Sequence, residues 1–236
     1  MRKDRIVIKI GGSLLFRKDH RINFQKIEEF CDIIKDQTNY KEPLLVVGGG
    51  IIAREYIGFV RNYSGNEALC DLLGIDISRV NAKLLISYLG ELAYPLVPAT
   101  FAELSLAMLS KNIIVMGGLQ PGQSTTSVAL EVAEFIKASK VLILTNVKGI
   151  YDKDPHTFPD AQLLKKITPA QLTDLIIKEA SSTQASAGEY RIFDAVSLQI
   201  LKRSKIEVNV GSGMDLSALK QFWKGNANTI GTIISN

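Results

Sequence analysis

Ile8-Lys9-Ile10-Gly11-Gly12-Ser13, Val46-Val47-Gly48-Gly49-Gly50 and Ile114-Val115-Met116-Gly117-Gly118 repeat one design, a short apolar run closed by a glycine cluster. Such a run, bounded by turn residues, is the pattern of a strand buried on both faces. A fourth run, Val141 to Leu144, ends in Thr145-Asn146-Val147-Lys148-Gly149. In open parallel sheets, ligands sit beyond the carboxyl ends of the strands. Glycine lets backbone N–H groups approach an anion with no Cβ in the way. A following helix adds unpaired N–H donors and the positive end of its dipole. One such turn is only a tight turn, but three at one sheet edge would hold a highly phosphorylated ligand. The chain carries no G-x-x-x-x-G-K-[ST] loop, and Gly11-Gly12 lacks the third glycine of a dinucleotide-binding fingerprint.

Working outward, helical spacing runs from about Asn23 to Asp36 and from Ile51 to about Asn62. Asn66 to Leu73 and Ser78 to Leu92 read as two separate helices, and further helices run from about Ser127 to Lys137 and from Asp194 to Lys202. Pro169 opens a helix at its first turn. Ile206 to Val210 and Thr229 to Ile234 complete the strands. Strands and helices alternate throughout, which predicts an α/β protein, a three-layer αβα sandwich around a largely parallel central sheet. No linker, repeat or low-complexity tract interrupts it. Residues 1–236 are expected to form one domain, with lobes of about 1–138 and 139–236 sharing one sheet. Ser181 to Gly188, small and polar, reads as a mobile loop.

Composition excludes several classes. Hydrophobic residues make up 46% and charged residues 22%, the balance of a globular chain. No apolar run reaches the roughly 18 residues of a membrane helix. The chain starts on Arg2-Lys3-Asp4-Arg5, with no secretory signal pattern. Cys31 and Cys70 sit in helical apolar patterns and read as buried free thiols, not a disulfide framework. These features predict a soluble cytoplasmic protein. The net charge of +4 is spread along the chain with acidic residues interleaved, so no nucleic-acid stripe is expected. With only His20 and His156, both read as surface loop residues, a histidine metal site or triad is not expected.

Ile8-Lys9-Ile10-Gly11-Gly12-Ser13-Leu14, Val46-Val47-Gly48-Gly49-Gly50 and Thr145-Asn146-Val147-Lys148-Gly149-Ile150-Tyr151-Asp152-Lys153-Asp154-Pro155 together resemble the amino acid kinase superfamily. The middle of the chain narrows the resemblance to its uridylate kinase branch, archaeal type. The residues that carry this are Gly50-Ile51-Ile52-Ala53-Arg54, Asp71-Leu72-Leu73-Gly74 running on to Ser78-Arg79-Val80-Asn81, and Gly117 to Thr126. An isopentenyl phosphate kinase would carry a histidine soon after the triple glycine, and Ile51 to Tyr56 contains none.

The resemblance implies the amino acid kinase fold and transfer of the γ-phosphate of ATP to UMP, giving UDP and ADP, in pyrimidine nucleotide biosynthesis. It implies Mg²⁺ carried by ATP, no metal site on the protein, and a homohexamer built as a trimer of dimers. Lys9 is the expected catalytic cation. Taken alone it could be a solubilising edge-strand lysine, and the Gly-Gly-Ser that follows favours the functional reading. ATP is expected to meet Gly12, Ser13, Gly50, Arg54, Thr145, Asn146, Tyr151 and Asp154. UMP is expected to meet Gly49, Asp71 through its ribose, and Leu119, Gln120, Pro121, Gly122, Gln123, Ser124 and Thr125. Taken alone, Arg54 reads as a solvated helix arginine, Tyr151 as a packing aromatic and Asp154-Pro155 as a turn initiator. Several departures bear on base specificity and on which side chain assists Lys9, among them Asn146, where bacterial uridylate kinases place a second lysine and archaeal ones share asparagine. Lys148 stands where uridylate kinases commonly carry aspartate, and Gln120 and Gln123 stand where close archaeal relatives carry histidines. The alternatives are another small-molecule kinase of this superfamily, or a non-catalytic nucleotide- or oxyanion-binding member.

Overall fold

The computed structural model describes residues 4–36, 39–41, 43–155, 157–182, 192–224 and 230–235. In chain order the elements are β1 (Ile6–Ile10), α1 (Phe24–Lys35), β2 (Leu44–Val47), α2 (Gly50–Ser64), α3 (Glu67–Leu89), α4 (Phe101–Ala107), β3 (Ile114–Met116) and α5 (Thr125–Phe135). Then come β4 (Lys140–Thr145), β5 (Lys166–Ile167), α6 (Pro169–Ser182), α7 (Ala195–Arg203), β6 (Glu207–Ser212), α8 (Ser217–Trp223) and β7 (Thr232–Ile234). Among the described residues the strands form one seven-stranded sheet in the order β3-β2-β1-β4-β6-β7-β5. All neighbouring pairs are parallel except β6 and β7. The carboxyl ends of β3, β2, β1, β4 and β6 therefore share one edge.

The alternation of strand side chains divides the core in two. Ile6, Ile8, Ile10, Leu45, Val47, Leu142 and Leu144 face the layer of α1, α3 and α8. Val7, Leu44, Val46, Val141, Ile143, Val208 and Val210 face the layer that includes α5 and α7. The sheet is covered on both faces, which is why its central strands read as unbroken apolar runs.

β1 lies in the middle of the sheet, paired with β2 and β4. That removes the edge-strand reading of Lys9. The largest correction concerns α3, one helix of 23 residues rather than the two expected from the sequence. Gly74 lies inside it, a choice that costs about 1 kcal/mol relative to alanine in a helix. A Cβ at Gly74 would stand 3.3 Å from Ile57 Cδ1, so the glycine lets α2 pack closely on α3. Tertiary contact overrides local propensity there. α4 was not expected, although Thr100-Phe101-Ala102-Glu103 has the residue spacing of a capping box: Thr100 Oγ1 accepts from Glu103 N at 3.1 Å, and Glu103 Oε2 accepts from Ala99 N, one residue before the cap, at 2.6 Å. α8 and the two-residue β5 were also unexpected.

Both cysteines are free and buried. His20 lies in a loop with Nδ1 2.7 Å from Glu55 Oε1, and His156 lies outside the described residues. Ser181 and Ser182 close α6, and the rest of the segment read as a mobile loop lies outside the described residues. No described helix is long and apolar enough to cross a membrane.

Candidate active site

The turns after β1 and β2 are interlocked backbone to backbone. A Cβ at Gly12 would fall 2.2 Å from Gly48 O and 2.4 Å from Gly50 N. Gly50 has φ +71°, and a Cβ there would fall 2.4 Å from the carbonyl carbon of Gly12. From α3, the buried Asn81 ties this arrangement down: its Nδ2 donates to Gly48 O at 2.9 Å and to Gly49 O at 3.1 Å.

α2 begins at Gly50 with no capping side chain. The N–H groups of Gly12, Ser13, Gly50, Ile51 and Ile52 donate to no protein acceptor among the described residues. A first helical turn leaves such donors orphaned, ready for an anion. α5 starts just beyond the same edge, capped by Ser124 Oγ, which accepts from Ser127 N at 3.2 Å. A Cβ at Gly48 would lie 3.3 Å from Thr125 Oγ1, so the start of α5 borders the interlocked turns.

Lys9 is the cation of this edge. It sits between Val46 and Ile143 of the neighbouring strands, both fully buried and both on the α5 side of the sheet. Its ammonium makes no ion pair or hydrogen bond among the described residues. Burial pushes its pKa from 10.5 down to about 8. An amine held in apolar surroundings without a counter-ion carries charge the fold alone does not compensate, which suits it to a bound polyanion.

The loop after β3 forms the far wall. Asp71 Oδ2, on α3, accepts from Gly122 N at 2.8 Å, so the residue expected to meet the ribose also fastens the loop after β3. Gln123 is turned towards α5, where its Nε2 donates to Glu131 Oε1 at 2.7 Å. Burial raises the Glu131 carboxyl above its ordinary range, with the Gln123 hydrogen bond acting against it. Leu119, Gln120 and Gln123 line a cleft of about 620 Å³ with Phe101, Phe135 and Arg203.

Of the remaining expected residues, Arg54 lies on α2, and Thr145, Asn146, Tyr151 and Asp154 lie on the other half of the edge, at and after the end of β4. Thr145 is buried at the end of β4, and its carbonyl accepts from Gly213 N at 2.7 Å. Asn146 and Arg54 are exposed, and Arg54 has no partner among the described residues. Tyr151 and Asp154 belong to a loop folded on itself: Tyr151 bridges to Leu163, and Asp154 Oδ2 accepts from Thr157 Oγ1 at 2.8 Å.

Sequence reasoning missed Asp194, taking it only as the start of a helix. It caps α7 by accepting from Ser197 N at 2.7 Å, and it reaches α5 by accepting from Ser124 N at 2.8 Å and Ser127 Oγ at 2.5 Å. One carboxylate thus joins the starts of two helices. Burial alone would raise its pKa, but the hydrogen bonds from Ser127, Ser124 and Ser197 outweigh burial and hold it below the usual carboxylate range. The spacing Asp194-x-x-Ser197 announces the cap, while the partners on α5 lie some 70 residues away in sequence. Asp194→Ala is expected to cost about 2–4 kcal/mol at pH 7, from a lost cap and lost charge-assisted bonds. A carboxyl with a depressed folded-state pKa stabilises above its unfolded value of about 3.9 and loses that contribution as pH falls through the folded value. Urea denaturation should therefore show the gap from wild type narrowing below about pH 4. A constant gap would remove the electrostatic account.

An edge of free amides around an uncompensated lysine, at the carboxyl ends of a covered parallel sheet, defines a class: enzymes that grip phosphates and transfer them. Comparison with known proteins is more specific. Residues 4–212 match the model of the amino acid kinase family, and the chain belongs to that family. It is 43% identical over 211 residues to a uridylate kinase of Methanobrevibacter smithii, covering 89% of this chain and 91% of that one. It is 40% identical over 233 residues to a uridylate kinase of Methanocaldococcus jannaschii, covering 98% and 99%. The crystal structure of uridylate kinase from Archaeoglobus fulgidus superposes with a TM-score of 0.80 at 34% identity, covering 98% of this chain and 99% of that one.

Proposed function

We propose that this chain is a uridylate kinase that moves the γ-phosphoryl group of ATP onto UMP, giving UDP and ADP. The observation that carries the reading is Lys9, a half-buried cation with no counter-ion, at the centre of four phosphate-competent turns. The full-length similarity to uridylate kinases supports the acceptor.

The acceptor atom is a phosphate oxygen, ionised near neutral pH, so the transfer needs no general base. The difficulty is electrostatic: two polyanions meet in line while charge spreads over the transferring group. Lys9, protonated at pH 7, and the amides of Gly12, Ser13 and Gly50 stabilise that charge, and preorganised donors do so without reorganising. Arg54, Thr145, Asn146, Tyr151 and Asp154 hold the rest of ATP. Gly49, Asp71 and the loop from Leu119 to Thr125 hold UMP. The acceptor side falls within residues 1–138 and the donor side within 139–236, apart from the shared turns and Arg54 on α2.

The edge offers N–H groups, hydroxyls, Lys9 and Arg54, and its carboxylates Asp71 and Asp194 are engaged by backbone and serine donors. That donor set fits a Mg²⁺ carried on the nucleotide's own phosphate oxygens, the ligands a hard cation takes. When bound, the ion neutralises charge on the transferring group. Self-association, expected as a homohexamer, is supported by two apolar stripes exposed among the described residues, Tyr56, Phe59 and Tyr63 on α2, and Leu69, Leu72 and Val80 on α3. The protein is expected to act in the cytoplasm.

The test is turnover of ATP with UMP, CMP, dUMP and acetylglutamate, each with and without Mg²⁺. Metal-dependent UDP formation with UMP preferred is the expected outcome. Turnover of another acceptor in place of UMP would replace this reading with that of a different kinase of the family.

A further inference from the structure

The acceptor loop is fastened to α3 by two consecutive side chains that the reaction does not otherwise use. Ser78 is buried; its Oγ donates to Ile75 O at 2.6 Å and accepts from Gly118 N at 2.7 Å. Arg79 Nε donates to Gly118 O at 3.1 Å, and its Nη2 donates to Leu119 O at 3.3 Å. The N–H and C=O of Gly118 and the next carbonyl are thus all set by one turn of one helix. The loop lies flush on that turn, since a Cβ at Gly117 would fall 2.6 Å from Ser78 Oγ and 2.7 Å from Arg79 N.

Arg79 is half-buried and has no carboxylate partner among the described residues. Its hydrogen bonds go to two carbonyls. In a planar trans peptide the carbonyl and the next N–H point in opposite directions. Holding the carbonyls of Gly118 and Leu119 therefore turns the N–H groups of Leu119 and Gln120 away from Arg79 together. Neither N–H donates to a protein acceptor among the described residues.

We propose that Ser78 and Arg79 are positioning residues that preset the acceptor loop, so that they govern affinity for the acceptor nucleotide and leave the donor side untouched. The inference rests on the reading of Leu119 to Thr125 as the acceptor loop. A fork is needed to hold two carbonyls at once, and a lysine ammonium, a point charge, holds one poorly.

The experiment is calorimetric titration of wild type, Arg79→Gln, Arg79→Lys and Ser78→Ala, with UMP and separately with a non-hydrolysable ATP analogue, alongside melting temperatures. Arg79→Gln should weaken UMP binding about tenfold, the scale of a lost geometric constraint, and leave the ATP analogue within about twofold. Arg79→Lys, the variant least able to disturb folding, should fall between wild type and Arg79→Gln for UMP alone. Weakening of both ligands in step with a lowered melting temperature would mark a merely structural clamp and overturn the proposal. UMP binding unchanged in all three variants would overturn it as well. Failure of wild type itself to bind UMP would instead overturn the acceptor reading, and the inference with it.

Discussion

Lys9→Met is expected to raise the melting temperature of the nucleotide-free protein at pH 7 and to lower kcat about 10²–10³-fold. The two signs share one cause. Burial holds the Lys9 pKa near 8, below its ordinary 10.5. Below about pH 8 the amine is charged in both folded and unfolded chains, and the folded chain bears the full cost of burying the charge. Between about 8 and 10.5 the folded chain releases the proton while the unfolded chain keeps it, so stability rises with pH. After allowance for partial exposure, the cost is on the order of 1–3 kcal/mol, or a few degrees for a chain of this size. Methionine keeps the length and apolar stem of lysine and removes the charge. Bound phosphates offset the same cost in wild type, so ATP binding near pH 9 should take up protons. Calorimetry in two buffers of different ionisation enthalpy reads that uptake directly. A less stable Lys9→Met protein, or one with undiminished turnover, would sink the electrostatic account of this lysine.

The sheet was legible because its strands are covered on both faces. Covered strands are wholly apolar, and glycine punctuation marks where each one stops. β2 and β3 follow that rule, β1, β4 and β6 depart from it at Lys9, at Lys140 and Thr145, and at Glu207 and Asn209, and all five lie within a residue or two of their expected limits. The break expected between Leu73 and Ser78 failed because Gly74 reads locally as a helix breaker, while its role is to admit α2. The reversed direction of β7 leaves no trace in the residue pattern of the strand itself. At the site, the glycines and Lys9 were legible as residue types in a repeated context. Arg79 and Ser78 were visible letters without a role, since their partners are backbone atoms some 40 residues away. Asp194 was obscured in the same way. Side-chain pattern reports which face is apolar; it does not report which distant peptide a polar group will hold.

Gly12→Ala should be among the most damaging methyl additions at this site, costing about 3 kcal/mol or more, with Gly122→Ala as its control at about 1 kcal/mol. Both replace glycine in a loop predicted to touch phosphate, but for different physical reasons. Gly122 has φ +79° and open space around its missing Cβ, so alanine there meets only local backbone strain. A Cβ at Gly12 meets Gly48 O at 2.2 Å and Gly50 N at 2.4 Å, both backbone atoms. Neither can swing aside as a flexible side chain would. Nor can the turns separate, because Ile10 and Val47, the residues just before them, are paired in the centre of the sheet. Relief must come from breaking that pairing or from moving Gly50, whose φ of +71° and closeness to Gly12 leave it no alternative conformation nearby. The same interlocking sets the free amides of Gly12, Ser13, Gly50 and Ile51 side by side, so a displaced turn loses phosphate contacts from two strands at once. Urea denaturation should separate the two variants clearly, and ATP binding should fail in Gly12→Ala under conditions where it remains folded. If both variants unfold at the same midpoint and bind ATP alike, the turns after β1 and β2 are not interlocked in solution, and the phosphate grip must come from elsewhere on the edge.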